Sequence, residues 1–269
     1  MEQYVQDYLN QLNVAPQLQG LALISALYKA HIATFPFNSA NVILKENLSL
    51  EPEALFDRVV TNRRGGYCFE HNKVFYLALK ALGFTVRPLI TRVLLDGNEQ
   101  NGRSHRVTLL EYQGKQYIVD VGFGVLNPRF IVPLKTTTID APNGRYSLEQ
   151  TGDQAYRLAL APNNDQPITL YRFDLSEFTE MDCNIGHFYS SQHENAAFVN
   201  NLVVSRIMDN ERILIRNNQV TFFDDAHNQQ EVFTITSAKQ LHSLLTEQCL
   251  VELTFAQTQT LFEFINRER

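Results

Sequence analysis

The chain is poor in cysteine and in positive charge, and it has no long apolar run. Its three cysteines, Cys68, Cys183 and Cys249, are odd in number and far apart. That excludes a disulfide framework and offers no metal-ligand spacing, so no metal is expected. A reducing compartment fits. The net charge of −6 argues against a nucleic-acid partner, whose footprint would be basic. No uninterrupted apolar stretch reaches the ~20 residues that a membrane span needs. The opening MEQYVQDYLNQLNV is acidic and polar, unlike a targeting peptide. The expectation is a soluble cytoplasmic protein with no membrane contact. Repeats, low-complexity tracts and a Gly-x-x-x-x-Gly-Lys phosphate loop are also missing. What is there suffices for a core: 44% hydrophobic against 19% charged excludes disorder.

The hydrophobic period changes along the chain. YVQDYLNQL, LQGLALISALYKAHI, EPEALFDRVV and CFEHNKVFYLALKAL carry apolar residues at helical spacing, and Gly83 ends the last of them. From residue 84 the segments TVRPLITRVLL, SHRVTLLEY, QYIVDVGFG and AYRLAL are short, β-branched and bounded by turn residues. After residue 195, NLVVSRI, RILIRNN, QVTFFD and EVFTI read as strands, and SAKQLHSLLTEQ and FAQTQTLFEFINR as helices. Helices followed by runs of strands indicate an α+β arrangement. The division expected is 1–83 helical, 84–195 β and 196–269 mixed α and β.

One stretch concentrates chemistry: RRGGYCFEHN, Arg63 to Asn72. A cysteine nucleophile acts as thiolate and needs its proton affinity lowered. Cys68 stands where a helix begins, and the unpaired N–H groups and dipole there favour negative charge. Gly65 and Gly66 permit tight backbone and close approach of a substrate. Arg63 and Arg64 add positive charge, and Glu70 suits a first helical turn. Buried packing is the competing explanation for a lone cysteine.

A base would decide between them. His71 is three residues on, on the same helix face, but reads as an ordinary helical residue. His31, His187, His193, His227 and His242 read as structural or solvated. His105 differs because a carboxylate can be placed beside it by counting. SHRVTLLEY and KQYIVDVG flank Gln113-Gly114, and a two-residue loop there pairs Tyr112 with Lys115. His105 then faces Gly122, and Asp120 is its diagonal neighbour on the same face, roughly 7–8 Å away at Cα. A loop shifted by one residue puts the two directly opposite. A three-residue loop puts them on opposite faces. A carboxylate inside the apolar YIVDVGF needs a partner, although Asp is also common at strand ends.

These segments together resemble the arylamine N-acetyltransferases, including the bacterial N-hydroxyarylamine O-acetyltransferases. The pattern Arg-Gly-Gly-x-Cys-x-Glu-x-Asn is carried by Arg64, Gly65, Gly66, Cys68, Glu70 and Asn72. HRVTLL, VDVGFG, HIATFPFNSANVIL and FVNNLVVSR extend the likeness over essentially the whole chain. The resemblance implies a cysteine–histidine–aspartate triad of cysteine-protease type at Cys68, His105 and Asp120. It implies an N-terminal helical bundle, a central β-barrel and a C-terminal α/β lid. It implies acetyl-CoA as co-substrate, an aromatic amine, hydrazine or N-hydroxyarylamine as acceptor, and a role in xenobiotic metabolism. Phe37 and Phe123 are the candidate acceptor-binding aromatics, Phe123 because it follows the Asp120 strand. Gly102, by its Gly-x-x-His spacing to His105, and Gly124 are the candidate coenzyme A contacts. Where the family usually has Pro-Phe-Glu-Asn, this chain has Pro36, Phe37, Asn38 and Ser39, which bears on acceptor preference. Two alternatives stay open on the residues alone: a hydrolase using the same triad, and an inactive binding module on this fold.

Overall fold

In the computed structural model, which describes residues 1–163 and 165–267, the helical period of the first third becomes a packed group of helices. α1 (Gln3–Leu12) buries Val5, Tyr8 and Leu12, one side of a single stripe. α2 (Gly20–Thr34) ends ahead of Pro36, and β1 (Phe37–Asn38) follows. After α3 (Ala40–Ile43), α4 (Pro52–Phe56) starts with proline in its first turn and runs into a π-helical turn, Asp57–Thr61. α5 (Cys68–Ala81) is buried along most of its length, including Cys68, Glu70, His71 and Asn72. It is the central helix, touching both α1 and the sheet that follows.

That sheet has eight strands: β2 (Thr85–Val93), β3 (Arg103–Tyr112), β4 (Lys115–Val119), β5 (Val132–Pro133), β6 (Thr137–Ala141), β7 (Gly144–Gly152), β8 (Ala155–Pro162) and β9 (Ile168–Asp174). Their order is β5-β4-β3-β2-β9-β8-β7-β6, antiparallel throughout, which makes a nearly closed, barrel-like sheet. Leu89, Val107, Leu109, Ile118, Leu158 and Tyr171 fill its interior.

Three features differ from the sequence reading. β5, β6, β7 and β9 add strands, partly because β5 has only two residues and β6 and the end of β7 face solvent and lack a clean apolar alternation. The expected strand over 116–124 stops at Val119, since the side chains of Asp120 and Asn127 take over the backbone N–H groups of Gly122 and Phe123. Within the segment read as β lies a helix, α6 (Glu180–Gln192), which places His187 on a helix rather than in a polar connection. Its apolar residues Met181, Ile185 and Phe188 are exposed, while Cys183, Gly186 and Ser190 are buried. Such inverted amphipathicity hides a helix from a periodicity argument. Its start is nonetheless encoded: Thr179 and Asp182 form a reciprocal capping box.

The remaining chain forms α7 (Ala197–Asn200) and the strands β10 (Val203–Ile207), β11 (Glu211–Arg216), β12 (Gln219–Asp224) and β13 (Gln229–Thr234). β1 joins them at the edge, giving a five-stranded sheet β1-β10-β11-β12-β13. α8 (Ala238–Ser243), a π-helical turn and α9 (Phe255–Asn266) pack on it through Leu241, Leu245 and Leu261. Among the described residues, no helix is long and apolar enough to cross a membrane.

Candidate active site

Cys68 is the first residue of α5 and is 3% exposed. The loop before it is fixed from three sides. Gly65 has φ +62°, and a side chain there would meet the Pro36 carbonyl at 2.7 Å. Only glycine satisfies both conditions. The Glu70 carboxylate accepts from the Tyr67 N–H at 3.0 Å and from Arg58 Nε at 2.9 Å, tying the helix start to the π-helical turn. Burial raises the Glu70 proton affinity, and the Arg58 charge opposes it. Arg64 reaches the Glu252 carbonyl, Gln257 and Glu46, joining the loop to α9. Arg63 is exposed and contributes its backbone carbonyl, which accepts from Glu252 N–H.

The β3–β4 hairpin turns through Gln113 and Gly114, both at positive φ, and pairs Tyr112 with Lys115. This is the two-residue loop with both central residues left-handed. At the far end of the hairpin, His105 Nε2 and Asp120 Oδ2 lie 2.8 Å apart, both 2% exposed. The other carboxylate oxygen, Oδ1, accepts from Asn72 Nδ2 and from Gly122 N–H, each at 3.0 Å. Asn72 is four residues past Cys68, one turn along the same face of α5. It also donates to the Arg106 carbonyl and accepts from Val121 N–H, so a single side chain bridges α5, β3 and the end of β4. Gly122 packs on Cys68 itself: a Cβ there would sit 2.9 Å from Cys68 Cα and 2.8 Å from Asn72 Nδ2.

Cys68 thus meets the hairpin. Its thiol donates to the Ser104 carbonyl at 3.7 Å. With Nε2 committed to Asp120, Nδ1 is the His105 nitrogen left for the sulfur. Burial pushes the His105 imidazole down, but the Asp120 charge and hydrogen bond, with those of Cys68, outweigh it and hold it well above the ordinary value. The arrangement places a proton-holding imidazole beside the Cys68 sulfur.

The other expected residues are placed unevenly. Phe123 packs edge-on against His105, ring centres 4.9 Å apart. Phe37, in β1, pairs with Ser205 and bridges to Gly66. Gly124, at φ +75°, faces Phe37 and Ser205. Gly102 is exposed in the loop before β3, with nothing packed against it. His71 turns away from Cys68: Nε2 faces the Pro36 carbonyl at 3.0 Å and Nδ1 faces His31 Nε2 at 2.9 Å. His187 is bound by the Tyr67 hydroxyl and the Leu48 carbonyl. Two neighbours of the site were not among the expected site residues. Asn72 entered the sequence reading only as the last residue of the family pattern, and its four-residue spacing from Cys68 was a further signal. Tyr171 of β9, whose ring lies 5.4 Å from that of His105, carried none.

Comparison with known proteins follows the same lines. A family model described as N-acetyltransferase matches residues 20–258. The arylamine N-acetyltransferase of Escherichia coli (strain K12) is 33% identical over 232 residues, 84% of this chain and 80% of that protein. The arylamine N-acetyltransferase / N-hydroxyarylamine O-acetyltransferase of Salmonella typhimurium is 30% identical over 256 residues, 92% and 89% of the two chains. A solved Salmonella typhimurium arylamine N-acetyltransferase superposes with TM-score 0.89 at 27% identity, over 97% of this chain and 98% of that one. A Mycobacterium marinum arylamine N-acetyltransferase solved in complex with CoA shares the fold, with TM-score 0.88 at 24% identity over 97% and 98% of the two chains. The chain belongs to the arylamine N-acetyltransferase family and is by that membership an acetyltransferase.

Proposed function

We propose that the chain moves an acetyl group from acetyl-CoA to aromatic amines, hydrazines or N-hydroxyarylamines through an acetyl-Cys68 intermediate. The observation that carries this is the buried His105–Asp120 pair, 2.8 Å apart, beside a cysteine at a helix N-terminus. Cys68, His105 and Asp120 act as nucleophile, base and orienting carboxylate.

In the first half, the Cys68 thiolate attacks the thioester carbonyl of acetyl-CoA. The carbonyl oxygen gains negative charge, and the leading N–H groups of α5 are the candidate donors to it. The carbon–sulfur bond to coenzyme A breaks, and the His105 imidazolium protonates the leaving thiolate. In the second half, the amine nitrogen attacks acetyl-Cys68. His105, now neutral, takes its proton, and the Cys68 thiolate leaves beside the restored imidazolium. Asp120 keeps its charge throughout and holds Nε2. The two halves share one site, so the kinetics are ping-pong.

Phe123 against His105 and Phe37 near Gly124 supply apolar walls for a flat acceptor. Asn38 does not add to them. Its amide donates to the Arg64 carbonyl and accepts from Ala40 N–H, and the Ser39 hydroxyl is shared between Asn201 and Val203. Coenzyme A enters past Gly102 and Gly124 in this reading. The CoA held by the Mycobacterium marinum relative supports the donor, not those contacts. Residues 1–83 bring the thiol, 84–195 the histidine and aspartate, and 196–269 cover the site as a lid, in a cytoplasmic enzyme of xenobiotic metabolism.

Intact-mass measurement after incubation with acetyl-CoA tests the reading. A single acetyl adduct, missing in Cys68→Ala and discharged by an aromatic amine, is expected. No adduct, or one lost only to water, overturns it.

A further inference from the structure

The outer face of the eight-stranded sheet carries a row of arginines. Arg157 on β8 pairs with Arg172 on β9, Arg172 with Arg92 on β2, and Arg92 with Arg103 on β3. In the adjoining row, Leu158 and Tyr171 fill the barrel interior, so alternation turns the arginines outward. Like charges directly opposite each other on a sheet are destabilising. In a chain of net charge −6, four arginines in succession are not a by-product of composition.

Carboxylates cover the row unevenly. Glu99 pairs with Arg157 at 3.1 Å and with Arg172 at 3.2 Å, and Asp174 pairs with Arg103. Glu149 stands opposite Arg157 at the far end. Four guanidinium charges thus meet three carboxylates, and the surplus falls at Arg92, between Arg172 and Arg103. Among the described residues, no carboxylate or carbonyl accepts from the Arg92 guanidinium. Burial, and then the Arg172 and Arg103 charges, lower its proton affinity. The row ends beside the site, because Arg103 precedes Ser104, whose carbonyl accepts from the Cys68 thiol.

We propose that this row is a binding surface for a phosphate group, with Arg92 supplying the unfilled guanidinium at its centre and Arg172 and Arg103 flanking it. A phosphate dianion offsets the repulsion among the three and accepts from the planar donor fork of Arg92 at two oxygens. The 3′-phosphate of coenzyme A and free inorganic phosphate share this chemistry. The position of the row next to Ser104 favours the first, which would anchor the donor while its thioester reaches Cys68.

Arg92→Gln removes the surplus charge and breaks no side-chain bond. At low salt it is expected to need about three- to tenfold more acetyl-CoA for the same rate of Cys68 acetylation. Acetyl-dephospho-CoA, which lacks the 3′-phosphate, is expected to serve both proteins equally. Arg92→Lys keeps the charge and should stand nearer the unaltered protein. Arg145→Gln, the same charge change on β7 outside the row, should move neither donor. If the surface takes free phosphate instead, both donors are untouched by Arg92→Gln. Inorganic phosphate at constant ionic strength then raises the melting temperature of the unaltered protein and not that of Arg92→Gln. An equal change with both donors, or no donor difference together with an equal response to phosphate, overturns the proposal. The donor comparison rests on the acetyl-transfer reading, whereas the phosphate measurement does not. If the unaltered chain forms no adduct, that reading fails and the phosphate measurement alone decides this inference.

Discussion

At the scale of single residues, Asn72 is the hinge on which the site closes. Its amide serves Asp120, the Arg106 carbonyl and the Val121 N–H. Asn72→Ala leaves three buried groups short of a partner. The expected outcome is a stability loss of roughly 1–3 kcal/mol by denaturant titration, with a slower acetylation of Cys68. Gly122 works by having no side chain. A Cβ there would press on Cys68 Cα, which is backbone and cannot yield. Gly122→Ala should therefore lower the acetylation rate at least about tenfold, with an overpacking cost of roughly 1–3 kcal/mol. Either variant acetylating at the unaltered rate contradicts this reading of the geometry. Asn72 was legible in part, because its spacing from Cys68 put the two on one helix face. Gly122 was legible only as a turn residue, since nothing in VDVGFG says which backbone lies against it.

At the scale of elements, α5 is anchored by a chain of buried hydrogen bonds. Tyr8 binds His31, His31 binds His71, and His71 binds the Pro36 carbonyl. The carbonyl only accepts, so His71 carries its proton on Nε2 and accepts at Nδ1. His31 must then donate from Nε2 and accept from the Tyr8 hydroxyl. Both rings are neutral, and neither nitrogen pair has room for another proton. Burial lowers His71 to about 4 and His31 well below its usual value. The folded-state affinities lie below the unfolded ones, so this contribution is whole above pH ~6.5. It is lost as pH falls from there toward 4, because the unfolded chain takes up the protons first. His71→Gln should flatten the fall of thermal stability with pH between 6.5 and 4, while leaving Cys68 acetylation in place. An unchanged slope would show that His71 does not titrate on unfolding. In α6, the Thr179 cap closes the reciprocal bonds with Asp182, and Thr179→Ala should cost about 1 kcal/mol. That helix escaped the sequence reading because its apolar residues face out.

At the scale of the whole molecule, distant parts of the chain converge on one loop. β1, from the N-terminal third, completes the sheet of the C-terminal third. Arg64, in the loop before Cys68, holds α9 through Gln257 and the Glu252 carbonyl. Arg64→Ala should raise hydrogen exchange at the start of α9 with little change in the eight-stranded sheet, and equal protection in both proteins would sink that link. The sequence by itself determined the alternation of helical and extended segments, the cysteine at a glycine-preceded helix start, and a hairpin at Gln113-Gly114, one of whose possible registers sets His105 near Asp120. Each of these rests on local period, turn chemistry or spacing within one supersecondary unit. Only the tertiary structure decided that the hairpin lies on α5 rather than elsewhere, that Asn72 and Gly122 lock it there, that His71 is spent on His31 and Pro36, and that Tyr171 of β9 packs against His105. Those contacts join residues 34 to 66 positions apart, where packing and buried hydrogen bonding, not local pattern, choose the partner.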